Sequence, residues 1–326
     1  MKTSLMLLLI VVVTVAQGIS TEAQQPKKVP RIGFVFGTSP SMIPDRVEGF
    51  RQGLRELGYV EGKSIIIEYR VAESKVERLP DLLAELVRLK VDVIVTGGIV
   101  NRAAKQATTT IPIVMAFEHD PVGNGLVASL ARPGGNITGL SALYPELSGK
   151  QLELLKEIVP RLSRVAVLGS SIEPGNTHVV REVEAAAEAL GVQHLYLDLQ
   201  DAKDIETAFQ AASKGHANAL IVLSGIIVLS HRPQITTLAI KNRLPAMYPR
   251  PELVEDGGLM AYGPNMADLY RRAATYVDKI LKGAKPADLP VEQPMKFDFV
   301  INLKAAKQIG LTIPESVLFR ADKVIK

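Results

Sequence analysis

The stretch from Arg31 to Thr96 reads RIGFVF (31–36), EGFRQGLRELGY (48–59), SIIIEYR (64–70), ERLPDLLAELVRLK (77–90) and VDVIVT (91–96). Its order is strand, helix, strand, helix, strand. The chain then repeats it as RVAVLG (164–169), VVREVEAAAEALGV (179–192), HLYLDL (194–199), DIETAFQAASKG (204–215) and ANALIVLS (217–224). Apolar residues at helical spacing alternate with short runs of β-branched residues. Strands such as VDVIVT, apolar almost throughout, belong inside parallel sheets covered on both faces. The fold class that follows is α/β: two Rossmann-like lobes with parallel sheets, and a cleft where small ligands bind.

The chain of 326 residues is long enough for two domains, and 47% hydrophobic content gives each lobe a core. A formal charge of +4 is scattered among acids, and with aromatics at 5% nothing points to nucleic acid. Lys2 precedes an apolar run from Leu5 to Ala16, followed by small and polar residues. This is the layout of a signal peptide, residues 1–23, with cleavage after Ala23 and a cut after Gly18 as the alternative. The run is shorter than the about 20 residues a membrane span needs. The mature protein is therefore expected outside the cytoplasm, in the periplasm. There are no cysteines, which excludes a lipid-anchored N-terminal cysteine, thiol catalysis and thiolate metal sites.

After the first lobe the chain is expected to cross to the second at about 141–145, return at 263–265 and cross again at 290–295. Three crossings side by side make a three-segment hinge on which rigid lobes close. Lobe one takes 29–141 plus 265–290. Lobe two takes 142–264 plus 291–326.

In open α/β sheets ligands meet the C-terminal ends of the strands. That rule selects Thr38, Ser39 and Ser41 after the first strand, Thr96 and Gly97 after the third, and Asp120 after the fourth. In the second repeat it selects Ser170, Asn176 and Ser224, and Tyr262 where the chain returns. Hydroxyls, backbone amides and helix N-termini suit a carboxylate; Asp120 suits an ammonium group. The set describes a zwitterionic amino acid, or a small aromatic or carboxylate compound. Each residue also has a structural reading. Thr38, Ser41, Thr96 and Asn176 can cap helices, Asp120 before Pro121 can shape a turn, and Tyr262 can be a core ring.

The stretches KVPRIGFVF (28–36), HDPVGNGLVASLARPGGNITGLS (119–141) and the block from Gly257 to Pro314 resemble the substrate-binding proteins of ABC importers. The resemblance is to the three-crossover, type I periplasmic binding proteins, in the branch that includes tryptophan- and tyrosine-binding members. It extends over essentially the whole mature chain. It implies an extracytoplasmic, non-enzymatic receptor, two lobes on a hinge, a buried small-molecule ligand, a membrane permease as partner and a monomeric state. No cofactor and no metal are implied.

Two other readings stay open. A periplasmic receptor of this shape can serve a sensor kinase. An enzyme, hydrolase-like, would have to use the local cluster Glu118, His119 and Asp120. No H-x-x-x-H pair, G-x-S-x-G elbow or P-loop occurs in the sequence.

Overall fold

The computed structural model describes residues 28–326, so the expected signal peptide lies outside the described residues. Among those residues no helix is long and apolar enough to cross a membrane.

Two sheets organise the chain. The first holds β1 (Arg31–Phe36), β2 (Ile66–Val71), β3 (Val93–Gly97), β4 (Ile113–Phe117) and β5 (Ile137–Gly139) in the order β2-β1-β3-β4-β5, all parallel. The second holds β6 (Arg164–Gly169), β7 (Gln193–Asp198), β8 (Ala219–Val222), β9 (Ala246–Tyr248), β10 (Met260–Pro264), β11 (Phe297–Asn302) and β12 (Lys323–Ile325). Its order is β12-β11-β10-β9-β8-β6-β7, parallel except for the antiparallel pair β10–β11. Reversal of order around β1 and around β6 creates a switch point in each sheet, where α/β folds place ligands.

Helices cover both sheets. In the first half of the chain they are α1 (Pro44–Glu56), α2 (Leu79–Arg88) and α3 (Val100–Ala107). Next come α4 (Tyr144–Ile158), α5 (Asn176–Ala189), α6 (Asp204–Lys214), α7 (Ile226–Ser230), α8 (Arg232–Lys241), α9 (Pro251–Glu255) and α10 (Met266–Leu281). Helix α2 buries Leu79, Leu83 and Leu86, spaced at one helical turn, against the first sheet. Helix α10 opens on Asn265, whose side chain accepts from the Asp268 amide at 2.8 Å. It packs against α1 closely enough that Gly49 and Gly53 face its backbone directly. A Cβ at Gly49 would sit 2.5 Å from the Ala267 carbonyl oxygen, and one at Gly53 would collide with that of Arg271.

The chain passes between the sheets three times. After β5 it leaves the first sheet. After β10 it returns to lay α10 on α1, and β11 takes it back. The passages touch one another: Leu140 pairs in parallel with Glu292, the Ser141 amide donates to Glu292 at 2.9 Å, and the Asn265 amide donates to Lys296 at 2.9 Å.

Some boundaries differ from the sequence reading. The spacing predicts the helix after the first passage to start at Gly149, but α4 begins at Tyr144, whose ring is buried and whose successor Pro145 fits a first helical turn. Strand β3 is expected at 91–95 and runs two residues later. Strand β12 has no counterpart in the reading: its three residues are too few to show an alternation.

Candidate functional site

The C-terminal ends of six strands converge on one cavity between the sheets. Phe36 ends β1 and Gly37 and Thr38 follow it, Gly97 ends β3 before Gly98 and Ile99, and Phe117 ends β4 shortly before His119. From the second sheet come Glu173 after β6, Ser224 to Ile226 after β8, and Arg250 after β9. Arg46 of α1 and Tyr270 of α10 complete the wall. The space between the walls is ≈ 490 Å³, a figure that includes open solvent.

Charge in this cavity is buried, and two groups lack an ionic partner. Arg250 is 5% exposed. Its Nη2 donates to Ser224 Oγ at 2.7 Å and its Nε to Tyr144 Oη at 3.1 Å, and the guanidinium lies 5.4 Å from the Phe117 ring centre. Burial opposes its charge, but Tyr144 and Glu252 outweigh that and hold its pKa above the ordinary value. Among the described residues it forms no ion pair. Glu173 is 2% exposed and likewise forms none there. Its Oε1 accepts from the Ile226 amide at 2.6 Å. Burial pushes its carboxyl above the usual range, against the pull of His119 and of that amide.

Arg46 donates through Nη2 to Glu252 at 2.7 Å, across from α1 to α9. Burial opposes ionisation of Glu252, but the Arg46 and Arg250 guanidiniums prevail and hold it at about 2. Arg46, Arg250 and Glu252 together leave one net positive charge beside the cavity. Glu118 sits under the opposite wall, with its oxygens occupied. They accept from Asn101 Nδ2 at 2.6 Å, Asn124 Nδ2 at 2.9 Å and the His119 amide at 2.8 Å. Burial works against its charge, and the nearby His119 imidazole, the Asn101 side chain and the His119 amide overcome it, keeping the carboxyl below the usual range. Thr96 Oγ1 donates to Asn101 Oδ1 at 2.6 Å and extends the network.

Of the residues selected from sequence, Thr38, Gly97 and Ser224 line the cavity. The other seven do not. Ser39 and Ser41 bond to each other at 2.8 Å on an exposed turn. Thr96 is spent on Asn101. Asp120 accepts from the Gly123 amide at 2.8 Å and so closes a turn, with its carboxylate 3.8 Å from His178 Nδ1. Ser170 Oγ donates to the Leu199 carbonyl at 2.5 Å, and Asn176 Nδ2 donates to the Ser170 carbonyl at 3.1 Å. Tyr262 stacks on Phe297 with ring centres 6.1 Å apart and meets Phe299 edge-on at 5.9 Å. The ammonium role assigned to Asp120 thus has no geometric support: its oxygen is turned onto its own loop.

Sequence reasoning missed Arg46, Glu173 and Arg250. Arg250 stands two residues past β9, where the strand-end rule applies. Glu173 lies three residues beyond Ser170, one of the selected positions. Arg46 is a cation in the first turn of a helix, where the dipole disfavours it, and that placement marks it as serving something else.

The family model for ABC transporter substrate binding protein matches residues 34–325. A tyrosine-binding protein of Clostridioides difficile (strain R20291) is 26% identical over 286 residues, 87% of this chain and 82% of that protein. Two solved structures are similar at TM-scores of 0.87 and 0.85. The first is a conserved domain protein from Vibrio cholerae, 29% identical, covering 91% of this chain and 100% of its own. The second is an ABC domain from Streptococcus pneumonia in complex with L-Trp, 30% identical, covering 91% of this chain and 99% of its own. The chain belongs to the ABC transporter substrate-binding protein family.

Proposed function

We propose that this protein is the extracytoplasmic receptor of an ABC importer and that it captures an aromatic amino acid. The observation that carries this reading is a pair of buried charges of opposite sign. Arg250 and Glu173 line one cavity, and neither has an ion-pair partner among the described residues. An unpaired buried charge is costly, so the cavity favours a ligand that brings both partners. Arg250, with Ser224 beside it, takes the carboxylate; Glu173 takes the ammonium group. Phe36, Ile43, Ile99, Ile226 and Leu229 leave an apolar slot for a ring. The L-Trp complex and the tyrosine-binding relative, each a property of those proteins, support the same class of ligand.

The lobes are 29–141 with 265–290 and 142–264 with 291–326. The ligand enters an open cleft, the lobes close on it, and the closed monomer presents a composite face to a membrane permease. Residues 1–23 direct export to the periplasm and are removed. No covalent chemistry is assigned: in the Glu118, His119 and Asp120 cluster, Glu118 accepts three donors and Asp120 accepts from its own turn.

Titration calorimetry of purified protein with L-tryptophan, L-tyrosine and a panel of aliphatic and charged amino acids tests this. Micromolar binding, about −8 kcal/mol, is expected for an aromatic member and not for the aliphatic ones. Absence of binding across the panel, with a different compound released from freshly purified protein in mass spectrometry, overturns the ligand class.

A further inference from the structure

His119 is a buried cavity-wall residue whose imidazole has no hydrogen-bond partner. It is 3% exposed, and neither Nδ1 nor Nε2 makes a hydrogen bond. Both nitrogens would ordinarily be satisfied at that depth. Glu118 does not satisfy them: its nearer oxygen is 3.7 Å from Nδ1, and its oxygens already accept three donors. His119 also sits where the two lobes meet. Its ring packs directly on the backbone of Gly175, where a Cβ would lie 2.8 Å from the His119 ring carbon Cγ. Gly175 is two residues from Glu173.

The corner around this imidazole is suited to a cation. Carboxylates of Glu118 and Glu173 flank it, both buried. Aromatic rings complete the surround, Phe117 edge-on at 6.0 Å and Tyr144 tilted at 5.0 Å between ring centres. Arg250 borders the same corner: its Nε donates to Tyr144 Oη at 3.1 Å and its guanidinium lies 5.4 Å from the Phe117 ring centre, so the basic and acidic walls adjoin. A ligand carboxylate on Arg250 and Ser224 and an amine at the acidic wall are then neighbours, as the two groups of an α-amino acid are.

We propose that His119 is a ligand-binding residue, which accepts a hydrogen bond from the ligand's amino group and forms with Glu173 a clamp that grips the amine from both lobes. This rests on the reading of the cavity as an amino-acid site. Because one jaw comes from each lobe, an amine-bearing ligand is held only in the closed form. The clamp makes the amino group a requirement for tight binding, in addition to the carboxylate.

The test pairs L-tryptophan with indole-3-propionate, which lacks only the amine, against wild type, His119→Leu and His119→Gln. His119→Leu is expected to weaken L-tryptophan about tenfold or more, as loss of a hydrogen bond to a charged group does. Its effect on indole-3-propionate is expected to stay within about twofold. His119→Gln, which keeps an acceptor oxygen, is expected to recover part of the loss. Equal losses on both compounds mean that His119 only packs, and overturn the clamp while the amino-acid reading stands. No binding of either compound, or of L-tyrosine, by wild type removes the reading and the clamp together. Imidazole nitrogen resonances of the wild-type protein decide the matter without a variant if the substitutions unfold it. A shift of one His119 nitrogen on adding L-tryptophan supports the clamp, and unchanged His119 nitrogens at saturation overturn it.

Discussion

Glu173 shows how one buried side chain can set the pH dependence of a receptor. Its carboxyl is pushed up by burial when no cation is present. An ammonium group beside it favours the ionised form, so the bound-state pKa falls below the ligand-free one. Affinity for an amino acid should therefore rise as pH climbs through the raised ligand-free pKa and level off above it. Below that value the ligand must first displace a proton. His119, Glu118 and Arg250 face the same carboxyl, so the profile should be compared with that of Glu173→Gln. The variant should weaken L-tryptophan by about 2 kcal/mol or more and flatten the acid side of the profile. A variant curve parallel to wild type would remove Glu173 from the ammonium site. At this scale the sequence was partly legible. The strand-end rule reached Thr38, Gly97 and Ser224 because it depends only on where strands stop. It could not tell Asp120 from Glu173, since both are acids in loops after strands. What separates them is backbone geometry: Asp120 meets the Gly123 amide, whereas Glu173 reaches across to the first turn of α7.

Among the elements, the contact of α1 with α10 joins segments more than two hundred residues apart, and its closeness depends on two glycines. In an isolated helix Gly→Ala is favourable by about 1 kcal/mol. At Gly53 the added methyl would strike the Arg271 carbonyl and the Ala274 side chain, and backbone cannot yield as a flexible side chain can. Overpacking of this kind costs about 1–3 kcal/mol. Gly53→Ala should therefore lower the melting temperature, despite its better helix propensity. Gly58→Ala provides the contrast. Nothing lies within 4 Å of its Cβ position, but its φ of +84° makes the residue strained there, so its cost comes from the backbone. A melting temperature unchanged in Gly53→Ala would mean that the helices can separate freely. Elements were the most legible level of the sequence. The repeated strand-helix order and the leucine spacing of α2 are local periodicities, and the fold reproduces them. The antiparallel β10–β11 pair and the short strand β12 were not legible, because pairing direction depends on where α10 carries the chain.

Across the whole molecule, contacts join the surroundings of the two sheets, and any motion that opens the cavity must break them. Arg46 pairs with Glu252 at 2.7 Å, Arg232 Nη1 donates to the Met42 carbonyl at 3.3 Å, and the Ser74 and Ser230 hydroxyls meet at 2.7 Å. Each joins the first sheet's surroundings to the second's. Among them the Arg46–Glu252 pair is the one whose strength varies with pH. In this structure the Arg46 and Arg250 guanidiniums hold the Glu252 pKa at about 2, against burial. Arg250 comes from the same lobe as Glu252 and acts in the open form too, so Arg46 supplies the part that depends on closure. A carboxyl depressed in the closed state stabilises that state above the open-form pKa and loses the contribution as pH falls toward about 2. The ligand-free protein should thus open on acidification below about pH 4. Glu252→Gln should do the same at neutral pH. Removing one charge of a fully buried pair costs about 3–5 kcal/mol. Glu252 keeps 23% of its side chain exposed, so about 2 kcal/mol is expected, roughly thirtyfold in the closed-to-open ratio. Small-angle scattering reads the result as a larger radius of gyration for ligand-free Glu252→Gln, restored by saturating L-tryptophan. Identical scattering from variant and wild type, both without ligand, would show that the pair does not hold the lobes together. The ligand's own contacts would then carry closure alone.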